Sequence, residues 1–458
     1  IDGFKSFRNF ALDFEPFQVF IGPNGAGKSN LFDAIALLNK IAKGNPFLEA
    51  FDRTRGGTIG LFHNSSTEGR MKIMSFAVEL LIGKTIDDGT GSKEVSETRL
   101  RYELKIQLSQ EDIFPGLYAV EESLMPIPKN RDSWIEEHIR PEHRLKWLSS
   151  HQREQFTGIH HPGILWPIRA TNDGHWEIPE PYVRGEVKTD FTKRATLSLI
   201  DSAKDVPEIY AVRQELTHLQ ILHLDPNEIR DKATSYRDPD NLMVDGSNLG
   251  PVLYRLAKEP FVMADIDRDL INIIPEITKI VLLPERAAEN IARQGSVLRY
   301  DIEVEYQDGT RSDLALLSDG TLRVLAFVAL KNDPLWHGVL CVEEPENGVH
   351  PERLKRIAKL LQAMATDFHE EEDYEDYIPR QVLVATHSPT LISFIPPESL
   401  WFIYMKNVKN GRSTGALPVK KELAESEQRQ YFTENQIRHF LDSESLEQTL
   451  DSLGYGVK

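Results

Sequence analysis

Apolar and polar residues alternate most regularly over 99–108, where Leu100, Tyr102, Leu104, Ile106 and Leu108 share one face. A second alternating stretch covers 71–82, and the Gly- and Asp-bearing segment 83–98 lies between them. The pair predicts a hairpin with one buried face. Short unbroken apolar runs predict buried strands at 17–21, 218–224, 338–342, 381–386 and 400–405. Residues 297–306 alternate again and end at the turn Gln307-Asp308-Gly309. Residues 1–21 read as two short strands around a turn at Glu15-Pro16. Spacings of three and four predict helices through Leu31, Ile35 and Leu38, over 253–280 with breaks near Pro260 and Pro275, over 322–330, and over 351–365. Helices alternating with strands predict an α/β fold.

Between these elements the pattern fades. Residues 111–207 are rich in Pro, His, Trp and both charges, and read as an inserted arm or lid domain. The expected organisation is a discontinuous domain, 1–110 with 208–415, interrupted by that insert and followed by a polar, helical tail over 416–458. The acidic stretch 370–376 reads as a solvated loop.

Composition narrows the class. The chain has 458 residues, 40% hydrophobic and 27% charged, as expected of a water-soluble globular protein with ample core. No apolar run approaches the roughly 20 residues of a membrane-spanning helix. The single cysteine, Cys341, excludes an intramolecular disulfide, and a reducing cytoplasm is the expected location. The net charge of −18 argues against a surface that coats nucleic acid, although a local basic groove stays compatible with it.

The chemistry begins at Gly22-Pro-Asn-Gly-Ala-Gly-Lys-Ser29, a G-x-x-x-x-G-K-S pattern between an apolar strand and a helix. This is the phosphate-binding P-loop in the context the motif requires. Gly22, Gly25 and Gly27 let successive N–H groups converge on one anion, and Asn24, Ala26 and Asn30 complete the cradle. Lys28 reaches the β- and γ-phosphates, while Ser29 serves as a Mg²⁺ ligand. ATP with Mg²⁺ is therefore the expected ligand pair.

Three further signals follow in order. Leu317-Ser318-Asp319-Gly320 precedes a helix, so Ser318 and Gly320 are candidate phosphate contacts, although taken alone such a sequence is more often an ordinary cap or turn. The run Val339-Leu340-Cys341-Val342 ends in Glu343-Glu344-Pro345-Glu346. Acids at a strand end beside a P-loop suit a metal-shell role for Glu343 and a general-base role for Glu344. Thr386-His387-Ser388 ends another strand, and His387 is a candidate partner of the γ-phosphate or the attacking water.

This order resembles the ABC-type ATPases of the RecF/SMC/OLD-like group. The resemblance rests on Gly3-Phe-Lys-Ser-Phe7, Gly22 to Asn30, Leu317 to Gly320, and Glu343-Glu-Pro-Glu-Asn-Gly-Val-His-Pro351. Residues Leu224-Asp-Pro226 and Asp245-Gly-Ser-Asn-Leu249 are also similar to that group. It implies an ABC-type nucleotide-binding domain: a mixed sheet with an antiparallel subdomain. It also implies catalysis at Glu344 and His387, and a nucleotide sandwiched between two copies, with Ser318 and Gly320 acting in trans. The implied output is control of an effector protein or a nucleic acid, by analogy in phage defence. Position 343 carries Glu where the group has Asp. No glutamine marks a Q-loop, and 61–64 falls in its place.

Sustained heptads are absent, so no long coiled coil is expected. The insert gathers Trp134, His138, Arg140, His143, Arg144, Lys146, Trp147, His151 and Arg153, either a strand-clamping surface or a solvated helix face. His151, His160 and His161 lack zinc-ligand spacing. Arg53 and Arg55 are either phosphate-approaching or solvated. No acidic cluster of nuclease type follows His387, so nuclease chemistry in this chain is not expected. A RecF-like DNA-repair ATPase and an ATP-binding scaffold with little turnover are the alternatives. A transporter ATPase is disfavoured by the insert and by the SMC-like start.

Overall fold

Short apolar strands line up in parallel at the centre of the molecule. The computed structural model describes residues 1–65, 67, 69–109, 116–149, 168–170, 176–177, 193–203, 207–230, 240–283, 286–287, 298–368, 379–408, 411–420 and 432–433. The main sheet has seven strands, in the order Gln220–Leu222, Gly338–Glu343, Arg380–Ala385, Phe17–Ile21, Leu400–Val408, Gly411–Lys420 and Phe432–Thr433. The first five run parallel; Leu400–Val408 then pairs antiparallel with Gly411–Lys420.

Unbroken apolar runs are needed here because both faces of the sheet are covered. Val19, Ile21, Leu340, Val342, Val382 and Val384 pack into one core, with the helices Leu249–Leu256, Pro260–Ile273, Asp319–Lys331 and Leu354–Met364. Phe20, Cys341, Leu383 and Ala385 face the other core, with the helix Lys28–Ala42 and an antiparallel sheet. In that second sheet Ile73–Leu81 pairs with Arg99–Ser109, and Leu100, Tyr102, Leu104, Ile106 and Leu108 are all buried. The α/β architecture, with a mixed sheet and an antiparallel subdomain, matches the sequence reading.

Several local expectations need correction. Residues 1–7 form no regular strand. Gly3 and Lys5 take positive φ, Gly3 N–H bonds Phe7 O at 3.0 Å, and only isolated bridges tie Asp2 to Ser75 and Phe4 to Phe62. The predicted 253–280 helix breaks at Pro260 as expected. It ends at Ile273, and Ile277–Leu282 is instead a strand, antiparallel to Ile302–Tyr306. The β-branched Ile277, Thr278, Ile280 and Val281 favour a pleated surface there.

The expected insert boundary at 111 falls between two paired strands, because Gly116–Pro126 extends the antiparallel sheet alongside Arg99–Ser109. Glu122 in this strand is buried, and its carboxylate accepts bonds from Thr196 N at 2.7 Å, Leu197 N at 2.9 Å and the Tyr102 hydroxyl at 2.9 Å. The basic and aromatic residues of the insert also turn inward. The Arg99–Asp132 ion pair is buried at 2.9 Å, the Trp134 indole donates to Phe14 O at 2.8 Å, and His138 sits 2.5 Å from Glu15. Trp147 packs edge-on against Phe368. These contacts fasten 129–149 to the body and leave Trp134, His138 and Trp147 unsuited to clamping a nucleic-acid strand. His151, Arg153, His160, His161, the acidic stretch 370–376 and nearly all of the tail lie outside the described residues.

Two groups near the N-terminal edge of the main sheet titrate in opposite senses. Burial, reinforced by neighbouring His337, lowers the His218 imidazole to about 4 from the usual 6.5. Burial raises the Glu215 carboxyl to about 7 from 4.5. The depressed histidine favours the folded state above pH 6.5, and that stability is lost as pH falls toward 4. The raised carboxyl weakens the folded state as pH climbs from 4.5 through 7. His218→Asn should therefore shrink the loss of thermal stability on acidification from pH 7 to 5, and Glu215→Gln should raise the melting temperature at pH 8 but not at pH 4.5. Separately, Asp132→Ala leaves Arg99 buried without its partner and should cost about 3–5 kcal/mol in denaturant titration.

Candidate active site at the strand ends

The parallel register brings three strand ends together. Glu343 pairs with Ala385, and Ala385 pairs in turn with Phe20. The P-loop after Ile21, the acids after Val342 and the histidine after Ala385 thus leave the sheet side by side. Ligands of open α/β sheets bind at this carboxyl edge.

The loop itself is shaped by glycine. Gly22, Gly25 and Gly27 all take positive φ. A side chain at Gly22 would strike Ile403 O, and one at Gly27 would lie 2.3 Å from Thr414 Oγ1. Thr414 braces the loop from behind, with its hydroxyl 2.9 Å from Ala26 O and 2.7 Å from Ser6 Oγ. Asn30 belongs to this brace, since its amide donates to Ser6 Oγ at 2.9 Å. Ala26 and Gly27 are buried, whereas Asn24 and Gly25 are exposed at the loop tip. The helix Lys28–Ala42 starts at Gly27 with no side-chain cap, which leaves its first-turn N–H groups directed at the loop.

Lys28 donates to Gly22 O at 2.7 Å and Pro23 O at 3.0 Å. Burial lowers its pKa, against the opposing pull of Glu344, Glu343 and Glu346. Lys28, Ser29, Glu343 and Glu344 line one pocket together with Arg323 and Asn347. A larger, mostly apolar cavity near Leu31, Leu38 and Phe76 reaches Gly338 and Arg380 at the opposite edge of the sheet. It lacks a loop of converging N–H groups, so the strand-end pocket is the one suited to phosphate.

Glu344 is held by several contacts. Its backbone takes φ 48°, a left-handed conformation that costs a non-glycine residue about 1–3 kcal/mol. Its N–H bonds Ala385 O at 2.8 Å. One carboxylate oxygen lies 3.0 Å from His387 Nδ1, and the other accepts from Asn347 at 2.7 Å. The two residues expected to act in catalysis are therefore in direct contact.

Ser318 lies elsewhere and is not among the residues described as lining that pocket. It caps the helix Asp319–Lys331, with its oxygen accepting from Thr321 N at 3.2 Å and lying 2.9 Å from the Thr321 hydroxyl. Gly320 is required because Gly348 O passes 2.2 Å from where its Cβ would be. Arg230 donates to Leu317 O at 2.9 Å and pairs with Asp319 at 2.5 Å, while Arg323 reaches Asn347 O. Signature and acid turn are thus fastened together within one chain. In the expected Q-loop place, Leu61, Phe62 and His63 are buried, and His63 Nδ1 lies 2.6 Å from Lys5 O. Arg53 pairs with Glu49 and Arg55 with Asp33.

Thr414, Arg323 and Asn347 were not legible as site residues. Thr414 and Arg323 join the site by contacts distant in sequence, with Ala26 and Asn347 respectively. Asn347 alone carried a signal, its position three residues after Glu344.

The donor set also fits a divalent cation. Ser29 and Glu343 offer oxygen to the pocket, and no group of three or more metal-ligating side chains occurs among the described residues. A hard cation held by one or two protein oxygens, with phosphates and water completing its shell, is the Mg²⁺ pattern.

The profile of one family, described as "AAA domain, putative AbiEii toxin, Type IV TA system", matches residues 17–393. No curated protein matches the chain. Among solved structures, an SmcHead bound to the C-winged helix domain of ScpA is 13% identical, covers 91% of this chain and 96% of its own, and has a TM-score of 0.47. The Smc head of Pyrococcus furiosus, with an extended coiled coil and bound to the C-terminal domain of ScpA, is 10% identical over 91% and 94%, with a TM-score of 0.43. The SMC head domain from Thermotoga maritima is 14% identical over 92% and 97%, with a TM-score of 0.38. Scores this low leave the fold to rest on the strand order itself. No helix among the described residues is long and apolar enough to cross a membrane. The family match takes in the P-loop, Ser318, the Glu343–Glu344 pair and His387, and the chain belongs to this AAA-domain family as a P-loop ATPase.

Proposed function

We propose that ATP is hydrolysed at the strand-end pocket and that a second copy of the chain completes the site. The contact between Glu344 and His387, which follow two adjacent parallel strands on one side of the P-loop strand, carries this reading. Lys28 leaves its loop carbonyls for the β- and γ-phosphates, and the uncapped N–H groups of the first helical turn bind the same oxygens. Ser29 and Glu343 would hold Mg²⁺, which when bound neutralises charge on the phosphates. Glu344 takes a proton from the attacking water, while His387 orients Glu344 and faces the γ-phosphate.

The second copy supplies Ser318 and Gly320. Ser318 can accept from Thr321 N and still point its hydroxyl proton at an anion when Thr321 donates to a neighbour. Two residues before Ser318, Leu316 offers an apolar side chain that is 77% exposed. ATP binding then closes a head-to-tail pair and hydrolysis reopens it, giving the two states different contacts. The closed state acts on a separate effector protein in the cytoplasm, in a defence role against phage.

A nucleic-acid-coupled reading, of the DNA-repair kind, has one observation in its favour. Lys5, Arg55, Arg70 and Arg412 line an open bowl beside Asn30, at the end of the P-loop. Hydrolysis stimulated by DNA, with a steep fall in rising salt, would select it.

Glu344→Gln should retain ATP binding, lower kcat by about 10²–10⁴-fold, and accumulate an ATP-bound dimer in size-exclusion chromatography. Unchanged turnover in this variant would remove Glu344 as the base. Lys28→Ala should abolish ATP binding in equilibrium dialysis.

A further inference from the structure

The acid turn carries a third glutamate that the reading above leaves without a role. Glu346 is largely buried, and burial pushes its carboxyl above the usual carboxylate range. One oxygen accepts from the Thr386 hydroxyl at 2.5 Å. The other is buried with no hydrogen-bond partner. Leaving a buried acceptor unmatched is destabilising, so apolar packing would hold a purely structural turn together better.

The contacts of Thr386 give that carboxyl a use. Thr386 is fully buried, directly precedes His387, and donates its N–H to Phe20 O on the P-loop strand at 3.0 Å. Its hydroxyl also accepts from Ser388 N at 3.0 Å, so Thr386 and its oxygen fix the backbone on both sides of His387. On the other side, Val349 N–H bonds Glu346 O at 3.0 Å, ahead of the close approach of Gly348 to Gly320. Glu346 therefore joins the turn bearing Glu344 to the segment bearing His387, and lies on the path to the signature helix.

We propose that Glu346 is a positioning residue: acting through Thr386, it sets Glu344 and His387 at their working separation and does not itself touch the nucleotide. This rests on the reading of Glu344 and His387 as the hydrolytic pair. A misplacement of about 1 Å at such a pair can cost on the order of 10²-fold in rate while substrate binding survives.

Steady-state ATPase kinetics on the full chain test it, with Glu346→Gln, Glu346→Ala, Thr386→Ser, Thr386→Val, the Glu346→Ala/Thr386→Val double variant and Glu344→Gln measured together. The expected result is a kcat lowered about 10–100-fold in Glu346→Ala and in Thr386→Val, with KM for ATP changed less than about threefold. Glu346→Gln and Thr386→Ser keep the hydrogen bond and should stay within about threefold of the parent kcat. The double variant should be no slower than the slower single, because both remove one link. Melting temperatures taken alongside separate lost fold from lost rate. Full kcat in Glu346→Ala, losses that multiply in the double variant, or Glu346→Gln as slow as Glu346→Ala would each overturn the positioning role. If Glu344→Gln is slow while Glu346→Ala is not, only this proposal falls. If Glu344→Gln turns over normally, the hydrolytic pair and this proposal fall together.

Discussion

Parallel pairing of Gly338–Glu343, Arg380–Ala385 and Phe17–Ile21 is the constraint on which the rest of the molecule depends. Parallel strands end at the same edge, so the loops that follow them must meet. Burial of both faces fixes the register: a slip of one residue would exchange Val342 and Val384 for Cys341 and Leu383 between two differently filled cores. The positions of Glu343 and His387 relative to Lys28 are consequences of core packing more than of the loops that carry them.

Charge is concentrated at that edge in an unbalanced way. Glu343, Glu344 and Glu346 all act on Lys28, whose burial weakens its charged form. Glu344 gains two side-chain partners but holds a left-handed backbone to reach them. With three carboxyl groups acting on Lys28 and Arg323 as the other cation lining the pocket, a metal ion would add the positive charge that favours a bound triphosphate. The signature helix is fastened to the same acid turn by Arg323, and Arg230 holds its N-terminal end through Leu317 O and Asp319; Arg323 and Phe327 of this helix line the pocket, whereas Ser318 does not.

Much of this was legible in the sequence. Glycine spacing showed the loop, and apolar runs ending in Glu or His showed which strand ends carry chemistry. The strand Gly116–Pro126 escaped because its alternation slips phase. Ala119 pairs with Ile106 and Glu121 with Lys105, which leaves Val120 as a bulge and turns Glu122 inward. A charged residue in a core position reads as surface until its partners, here Tyr102, Thr196 and Leu197, are known. The helix expected over 253–280 runs into the strand Ile277–Leu282 because the apolar spacing of 277–280 fits both periods. Thr414 and Ser6 brace the P-loop across nearly the whole chain, and no local pattern reports such a contact.

Mixing two disabled chains tests the shared-nucleotide account most directly. Lys28→Ala lacks the phosphate grip and Ser318→Arg lacks the opposing cap, so each alone should be inactive while remaining folded. In a mixed dimer one of the two sites joins an intact Lys28 to an intact Ser318. Equal mixing should restore about a quarter of the parent turnover, since half of the dimers are mixed and each has one working site of two. If the mixture stays as inactive as its components while mixed dimers are shown to form, or if Ser318→Arg alone retains full turnover, the nucleotide is not shared between copies.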